Sequence, residues 1–430
     1  MSDDSASRGT AADAMRRYWP MVYAPTALYS MGQGAVIPVL PSIATALGAD
    51  IAVAALIAAA LVVGQLCGNL PAGWLVARLG ERRSMIAAAA VSLVGVATML
   101  FAEHIAVLGL GTFLVGICAS VFALARHAFM TARVPFARRA RALALVGGSF
   151  RLGTFTGPLI AAALIWATGS ELATIWFFAA CLVGMGLLVT FGPDPEERAL
   201  AAERAARLAQ QDEADSEDTG EPVTGSIPTA ERTGLFRTIW EHRSVLSRLG
   251  LAAASLASVR AGRQAILPLW GLSIGLDSAN TALIVGIAGA VEFSLFYASG
   301  QVMDRFGRIW ATVPSQLLMG LAFVSLAFTH ELDMAAMWFG AFAIVVGVGN
   351  GLSAGALLTI GSDVAPERNT AAFLGAWRTL TDGGASITPL IVSGVTAIAS
   401  LSVATGLVGL IGLLGAAAFL RWVPRYVPHP

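Results

Sequence analysis

The chain has 430 residues, of which 56% are hydrophobic before its 46 glycines are counted and only 13% are charged. Soluble proteins average about 45–50% apolar residues with glycine included and about 25% charged residues. One or two aqueous cores cannot bury so much apolar surface, so lipid is the expected solvent. The net charge of zero gives no support for a nucleic-acid partner. The chain has no lysine, which excludes the phosphate-binding loop of an intrinsic ATPase.

Twelve apolar runs follow one another along the chain, each long enough to cross a bilayer as a helix. We number them spans 1 to 12, and they cover residues 18–46, 51–77, 84–102, 105–130, 140–168, 172–192, 245–274, 278–303, 309–329, 334–361, 370–398 and 401–420. Backbone groups in hydrocarbon must be hydrogen-bonded within their own segment, so we predict an all-α membrane protein.

A polar, highly charged stretch at 194–243 separates the first six spans from the last six. Its composition predicts a cytoplasmic linker that is partly disordered. We therefore divide the chain into an N-terminal six-helix bundle at 1–193, the linker at 194–243, and a C-terminal six-helix bundle at 244–430.

Arginines occupy the loops on one side of the predicted membrane and are missing from the loops on the other side. The loops after spans 2, 4, 8 and 10 contain arginine, whereas the alternate loops contain acids and histidines. Because positive residues stay on the cytoplasmic side, we predict a multi-pass protein of the plasma (inner) membrane with both termini cytoplasmic. We call the two sides the arginine-rich end and the arginine-poor end.

The two halves repeat a glycine- and arginine-rich sequence directly after spans 2 and 8. The first copy is GWLVARLGERR at 73–83, and the second is GQVMDRFGR at 300–308, 227 positions later. At an offset of 231, Pro158 of span 5 matches Pro389 of span 11. Two similar six-helix halves indicate a transporter in which one half rocks against the other around a central site.

The second copy, G-x-x-x-D-R-x-G-R, resembles the signature loop of the major facilitator superfamily, and the first is a degraded copy. Gly148, Gly153, Gly157 and Pro158 in span 5 resemble part of the antiporter motif of that superfamily's drug/proton exporters. Of these, Gly153, Gly157 and Pro158 are predicted to bend the helix. The resemblance implies two pseudo-symmetric six-helix bundles, a small-molecule substrate, and a proton gradient instead of a cofactor as the energy source.

We interpret the signature loops as a conformational latch. Their glycines allow tight turns and close helix contacts, and their arginines are expected to pair with acids across the seam between the halves. The alternative is that these arginines only fix the topology. The latch residues are Gly73, Arg78, Gly80, Arg82, Gly300, Asp304, Arg305, Gly307 and Arg308.

Two acids lie deep in the membrane, where a charge costs about 2.5–3.5 kcal/mol on insertion scales. Glu292 in span 8 and Asp382 in span 11 are each about 18 Å from the cytoplasmic end at 1.5 Å per residue. Arg378 lies one turn from Asp382 and should keep it ionised, whereas Glu292 has no arginine nearby in sequence. We predict that Glu292 carries the coupling proton and that Asp382 is the second candidate. The alternative is that both acids form static ion pairs.

Several arginines at similar depth require a polar cavity between the halves. Their excess over acids favours an anionic or carboxylated ligand, although ion pairing within the protein is the alternative. The predicted cavity residues are Arg260, Arg263, Gln264, Arg151, Arg378, Tyr29, Gln33, Gln65 and Asn350.

Together these patterns predict a proton-coupled secondary active transporter that exports small amphipathic organic molecules by alternating access. The alternative is an importer or permease for an organic-acid metabolite. We find no set of catalytic residues and no metal-ligand spacing, so we expect neither an enzyme nor a metal site. The expected partners are a small-molecule substrate and the lipid bilayer, with the chain acting as a monomer.

Overall fold

The computed structural model describes residues 19–133, 136–192, 240–366 and 370–427. The helices of the first half are α1 (Ala24–Val36), α2 (Leu40–Ala46), α3 (Ile51–Leu79), α4 (Glu81–Leu100), α5 (Ile105–Arg133), α6 (Phe136–Thr168) and α7 (Leu172–Phe191). The helices of the second half are α8 (Leu251–Ser273), α9 (Ser278–Phe306), α10 (Ile309–Ala327), α11 (Ala335–Leu352), α12 (Ala356–Asp363), α13 (Thr370–Ile398) and α14 (Leu401–Tyr426). Almost all of the predicted linker lies outside the described residues.

These helices form the twelve predicted spans, in which α1 with α2 is span 1 and α11 with α12 is span 10. Within the described ranges, nine helices are long and apolar enough to cross a membrane, and the pair α1–α2, bent by 42°, makes a tenth. The remaining spans are α8 and α13, whose hydropathy is lowered by charged and polar residues. The predicted all-α membrane fold is confirmed.

The first two spans of each half repeat each other at a constant offset of 227 residues. The range 24–46, which contains α1 and α2, corresponds to α8 at 251–273. A π-helical turn precedes each of them, at Trp19–Tyr23 and Leu246–Gly250. The next helices, α3 and α9, both have 29 residues. The two halves are therefore pseudo-symmetric, as the sequence repeat predicts.

α3 and α9 begin and end at equivalent residues of the repeat. Asp50 and Asp277 cap the two N-termini by accepting hydrogen bonds from backbone N–H groups. Both helices end at glycines, Gly80 and Gly307, with φ of 79° and 91°, a conformation that residues with a Cβ atom rarely adopt. The glycine of each signature loop is thus required by the turn that follows the helix.

The two halves contact each other mainly along two helix pairs, α6 with α9 and α3 with α13. At the arginine-poor end, the Glu171 carboxylate accepts hydrogen bonds from Ser42 of its own half and from Ser278 of the other half. The Ser393 hydroxyl also donates to the carbonyl oxygen of Ala52 across the second pair, at 3.1 Å. Hydrogen bonds therefore join the halves at this end.

The predicted helix-bend motif lies where α6 packs against α1. Gly153 and Gly157 contact the α1 backbone so closely that a Cβ atom at Gly157 would lie 2.7 Å from the backbone nitrogen of Ala35. Pro158 follows inside α6, where it removes one backbone donor. Small side chains at these positions allow the two helices to approach each other.

We expect Gly157→Ala to lower the thermal stability of the detergent-solubilised protein, because the methyl group pushes α1 and α6 apart. Such overpacking costs about 1–3 kcal/mol. Gly148→Ala on the same helix is the matched control, since its Cβ atom would have no neighbour within 4 Å. The measurement is the fraction of monodisperse protein after heating. Identical melting curves for the two variants would contradict the packing role of Gly157.

Candidate functional site

A buried carboxylate connects the two halves of the molecule. Glu292 of α9 pairs with Arg151 of α6, at 2.9 Å between Oε1 and the Arg151 Nη1 atom. Its other oxygen pairs with Arg263 of α8, also at 2.9 Å. The exposed fractions of the three side chains are only 12%, 22% and 13%, respectively. We call Arg151, Arg260, Arg263 and Glu292 the charge cluster.

The charge cluster lies at mid-membrane depth. Glu292 is the middle residue of the 29-residue helix α9, and Arg151 and Arg263 each lie one residue from the middle of their helices. An isolated charge at this depth costs about 2.5–3.5 kcal/mol or more. Direct pairing in the protein interior offsets part of that cost, which explains why the arginines and the acid occur together.

Arg260 is bound to a break in a helix. One of its terminal nitrogens donates to the carbonyl and hydroxyl oxygens of Ser353, at 2.5 and 2.7 Å. Ser353 follows α11 and precedes α12, and its carbonyl oxygen accepts one backbone hydrogen bond, from the Ala356 N–H at 3.0 Å, in addition to the one from Arg260. Arg260 makes no ion pair with any described residue.

Donor and acceptor capacity remains unused in the charge cluster. The Nε atoms of Arg260 and Arg263 are buried and have no hydrogen-bond partner within the described ranges. Asn350 of α11 is near the Glu292 carboxylate, and its own Oδ1 atom is buried and lacks a partner in the same ranges. The cluster can therefore bind a further polar group.

A small cavity of about 30 Å³ adjoins the ion pairs, lined in part by Thr154 and Phe293. This volume is large enough for about one water molecule. The Phe293 ring contacts the Phe155 ring, with 5.0 Å between centroids, and the guanidinium of Arg151 lies 5.0 Å from the centre of the Phe296 ring. Apolar rings thus border the charged groups directly.

The two deep acids have different kinds of partner. Glu292, which has no arginine nearby in sequence, contacts two arginines of other helices: Arg151 is 141 residues away in sequence, and Arg263 belongs to α8. These contacts correspond to the ion pairing that the sequence analysis gives as the alternative for the deep acids. The expected pair of Arg378 with Asp382 is present at 3.4 Å, but its side chains are 71% and 51% exposed.

The exposed pair lies on the side of the seam nearer the arginine-rich end. Arg378 and Asp382 are in the part of α13 nearer that end, and Arg378 is within electrostatic range of His127 on α5 of the other half. The halves are hydrogen-bonded at the arginine-poor end, whereas the side chains of Arg378 and Asp382 are accessible.

Besides Arg378, four predicted cavity residues do not reach the charge cluster. Tyr29 is buried inside the first half, where it contacts the Phe178 ring and donates weakly to a carbonyl of α5. Gln33 lines a separate, largely apolar cavity within the same half. Gln264 is exposed, and Gln65 is half-buried on α3. At the offset of 227, Gln33 corresponds to Arg260 and Gln65 corresponds to Glu292. Both glutamines are neutral, so they cannot form an ion pair like those of the charge cluster.

The latch arginines bind within their own half, so their predicted pairing across the seam is wrong for the described residues. Arg308 pairs with Asp363 at 2.8 Å and more loosely with Asp304 at 3.5 Å, all three in the second half. The hydrogen bond to the Asp363 carboxylate raises the pKa of the Arg308 guanidinium. Each signature loop is thus attached to its own bundle.

In the first half, Arg82 donates to three carbonyl oxygens at the end of α7, those of Val189, Thr190 and Gly192. These carbonyls are the unsatisfied acceptors that every helix C-terminus leaves. Arg78 and Arg305 instead lie over the rings of their neighbours Trp74 and Phe306. Gly73 and Gly300 face open space.

Two functional contacts were missed by the sequence analysis. Ser353 was not singled out, although the glycines on either side of it, Gly351 and Gly355, could have indicated a helix break. Glu171 was treated only as a loop acid, and its hydrogen bonds to both halves depend on tertiary structure that no local pattern encodes.

Comparisons with known proteins agree with this architecture. The family model for the Major Facilitator Superfamily matches residues 24–389. Uncharacterized proteins of Mycobacterium bovis and Mycobacterium tuberculosis are 29% identical over 201 residues, which is 44% of this chain and 46% of each relative. The match therefore spans about half the length of these curated relatives.

Solved structures share the fold at low sequence identity. A POT family transporter in complex with 5-aminolevulinic acid has a TM-score of 0.69 and 12% identity, covering 94% of this chain and 96% of that one. A D-xylose-proton symporter has a TM-score of 0.67 and 15% identity, with the same coverage. The chain belongs to the major facilitator superfamily and is a multi-pass membrane protein that acts as a secondary transporter.

Proposed function

We propose that this transporter is proton-coupled, that it works by alternating access in the plasma (inner) membrane, and that Glu292 carries the coupling proton. One observation carries the proposal: Glu292 is held by Arg263 of its own half and by Arg151 of the other half. When the halves move, Arg263 travels with Glu292 but Arg151 does not. The number of arginines that stabilise the ionised Glu292 carboxylate therefore depends on the conformation of the transporter.

The first candidate for the transported species is a small amphipathic organic molecule that is exported. Apolar rings beside the charge cluster support an amphipathic substrate, because Phe155, Phe293 and Phe296 lie within reach of the same site. The glycine–proline motif of α6, which resembles that of drug/proton exporters, supports the outward direction. The arginine-rich loops support a cytoplasmic location for both termini. We also propose that the transporter acts as a monomer.

The second candidate is uptake of an organic acid. It is favoured by the composition of the charge cluster, in which three arginines face one carboxylate. Arg260 binds only neutral oxygens of Ser353 among the described residues. A substrate carboxylate would give Arg260 an anionic partner.

A deletion strain separates the two directions. Export predicts that the strain becomes more sensitive to amphipathic compounds in a growth-inhibition panel, because these compounds accumulate inside the cell. Uptake predicts unchanged sensitivity and lost growth on a carboxylic acid as sole carbon source. Restoring the native gene is the control. A strain that is unaffected in both panels would contradict both substrate assignments.

We expect Glu292→Gln to abolish substrate accumulation driven by a pH gradient in proteoliposomes, because glutamine keeps the size of the side chain but cannot bind and release a proton. Exchange of labelled for unlabelled substrate across the vesicle membrane should remain measurable. Asp382→Asn is the comparison, since it neutralises the other deep acid. Accumulation that survives Glu292→Gln but not Asp382→Asn would move the coupling role to Asp382.

We further propose that the latch keeps each half rigid while the halves move. Arg308→Gln should slow transport while leaving the amount of folded protein nearly unchanged, because the loop loses its attachment to Asp363. Arg305→Gln is the matched control, as Arg305 is exposed in the same loop. Equal transport rates for the two variants would show that these arginines act only through topology.

A further inference from the structure

We infer that Arg260 and Arg263 form a binding site for the carboxylate of an amphipathic organic anion, and that this carboxylate replaces Glu292 at Arg263. The inference rests on the proposed transport function and specifies its substrate class. Substrate and protein acid are then alternative ligands of the same guanidinium.

The first support is the charge balance around Glu292. The charged groups facing it from the neighbouring helices are Arg151 of α6 and Arg260 and Arg263 of α8. Asn350 of α11 is neutral, and α10 contains no charged residue. The site thus holds three positive charges and one negative charge in a medium where unbalanced charge is unfavourable. A bound anion that arrives together with a proton leaves this excess unchanged, whereas a bound cation increases it.

The second support is that two arginines on one face of α8 have hydrogen-bond donors without partners among the described residues. Arg260 and Arg263 are three residues apart on α8, so their side chains lie on one face of the helix. Each has a buried Nε–H group without a partner among the described residues. A guanidinium presents its donors in a planar fork that matches both oxygens of a carboxylate. The pair can therefore bind a carboxylate while Arg260 stays attached to Ser353.

The third support concerns space. The adjoining cavity of about 30 Å³ has room for about one water molecule, not for an organic anion beside the ion pairs. Among the described residues, a substrate carboxylate that binds Arg263 therefore takes the position of Glu292. The Phe155 and Phe293 rings next to this position then contact the apolar part of the substrate.

This exchange links the anion to a proton. Released from Arg263, the Glu292 carboxylate loses one of its two cations and binds a proton from water, becoming a neutral carboxylic acid. One negative charge enters with the substrate and one proton enters at Glu292, so the cluster keeps its net charge. Anion and proton therefore bind together and cross in the same direction, which favours the uptake candidate.

The test measures ligand binding to the purified full chain, using acetate, octanoate and benzoate, each compared with its neutral amide. At least one carboxylate should bind and raise the thermal stability, while its amide should not. For the native chain, affinity should fall about tenfold per pH unit once Glu292 must gain a proton on binding. For Glu292→Gln, affinity should be at least tenfold higher and independent of pH, because the competing carboxylate is gone.

Arg260→Gln should reduce carboxylate binding at least tenfold, whereas Arg378→Gln should not, since that exposed arginine lies outside the site. If Arg260→Gln fails to fold, the pH dependence of Glu292→Gln decides alone. The inference is overturned if amides bind as well as carboxylates, or if Glu292→Gln weakens binding. Proton coupling is tested separately: gradient-driven accumulation by Glu292→Gln would refute the proposed function without affecting the binding result.

Discussion

Glu292 lies in the middle of α9 and is held by one arginine from each half of the molecule. Charges at this depth are tolerated only where protein and water replace lipid, so the cluster requires the two bundles to enclose it. The same arrangement makes the contact sensitive to movement. A hydrogen bond of 2.9 Å is largely lost beyond about 3.5 Å, so a relative displacement of less than about 1 Å weakens the direct bond between Arg151 and Glu292. A small relative displacement of the two halves at the charge cluster can therefore occur together with a large displacement at the ends of their helices.

The backbone of the two halves is repeated, but the charges are not. At the offsets of 227 and 231, Glu292 corresponds to Gln65 and Arg151 corresponds to Asp382. The α6–α9 seam thus carries an ion pair, whereas the equivalent α3–α13 seam has a neutral amide and an exposed acid. Because the halves are pseudo-symmetric, the two seams can move in similar ways when the halves rock. Only the α6–α9 seam has the ion pair, so the proposed proton chemistry is confined to that seam.

Much of the fold could be predicted because its determinants are local. Apolar length defines the spans, and the offset of 227 reproduces capping acids and turn glycines such as Asp50 with Asp277 and Gly80 with Gly307. The site could be predicted only as a set of residue types at a common depth. Which arginine contacts Glu292 depends on how α6 and α8 pack around α9, and spacing within one helix carries no such information. For the same reason the sequence favoured Arg378 with Asp382, a pair that is local but exposed.

The arginine-poor end and the centre of the molecule are held together by different contacts, which bears on how the transport cycle proceeds. At the arginine-poor end, Glu171 accepts hydrogen bonds from both halves, and opening this end breaks the bond to Ser278. Water can then hydrate the freed Glu171 carboxylate, so breaking this hydrogen bond costs little free energy. At the centre, Glu292 has little access to water and needs a replacement cation or a proton when its partners change. The central cluster, more than the outer hydrogen bonds, is therefore where binding of substrate and proton can decide which end opens.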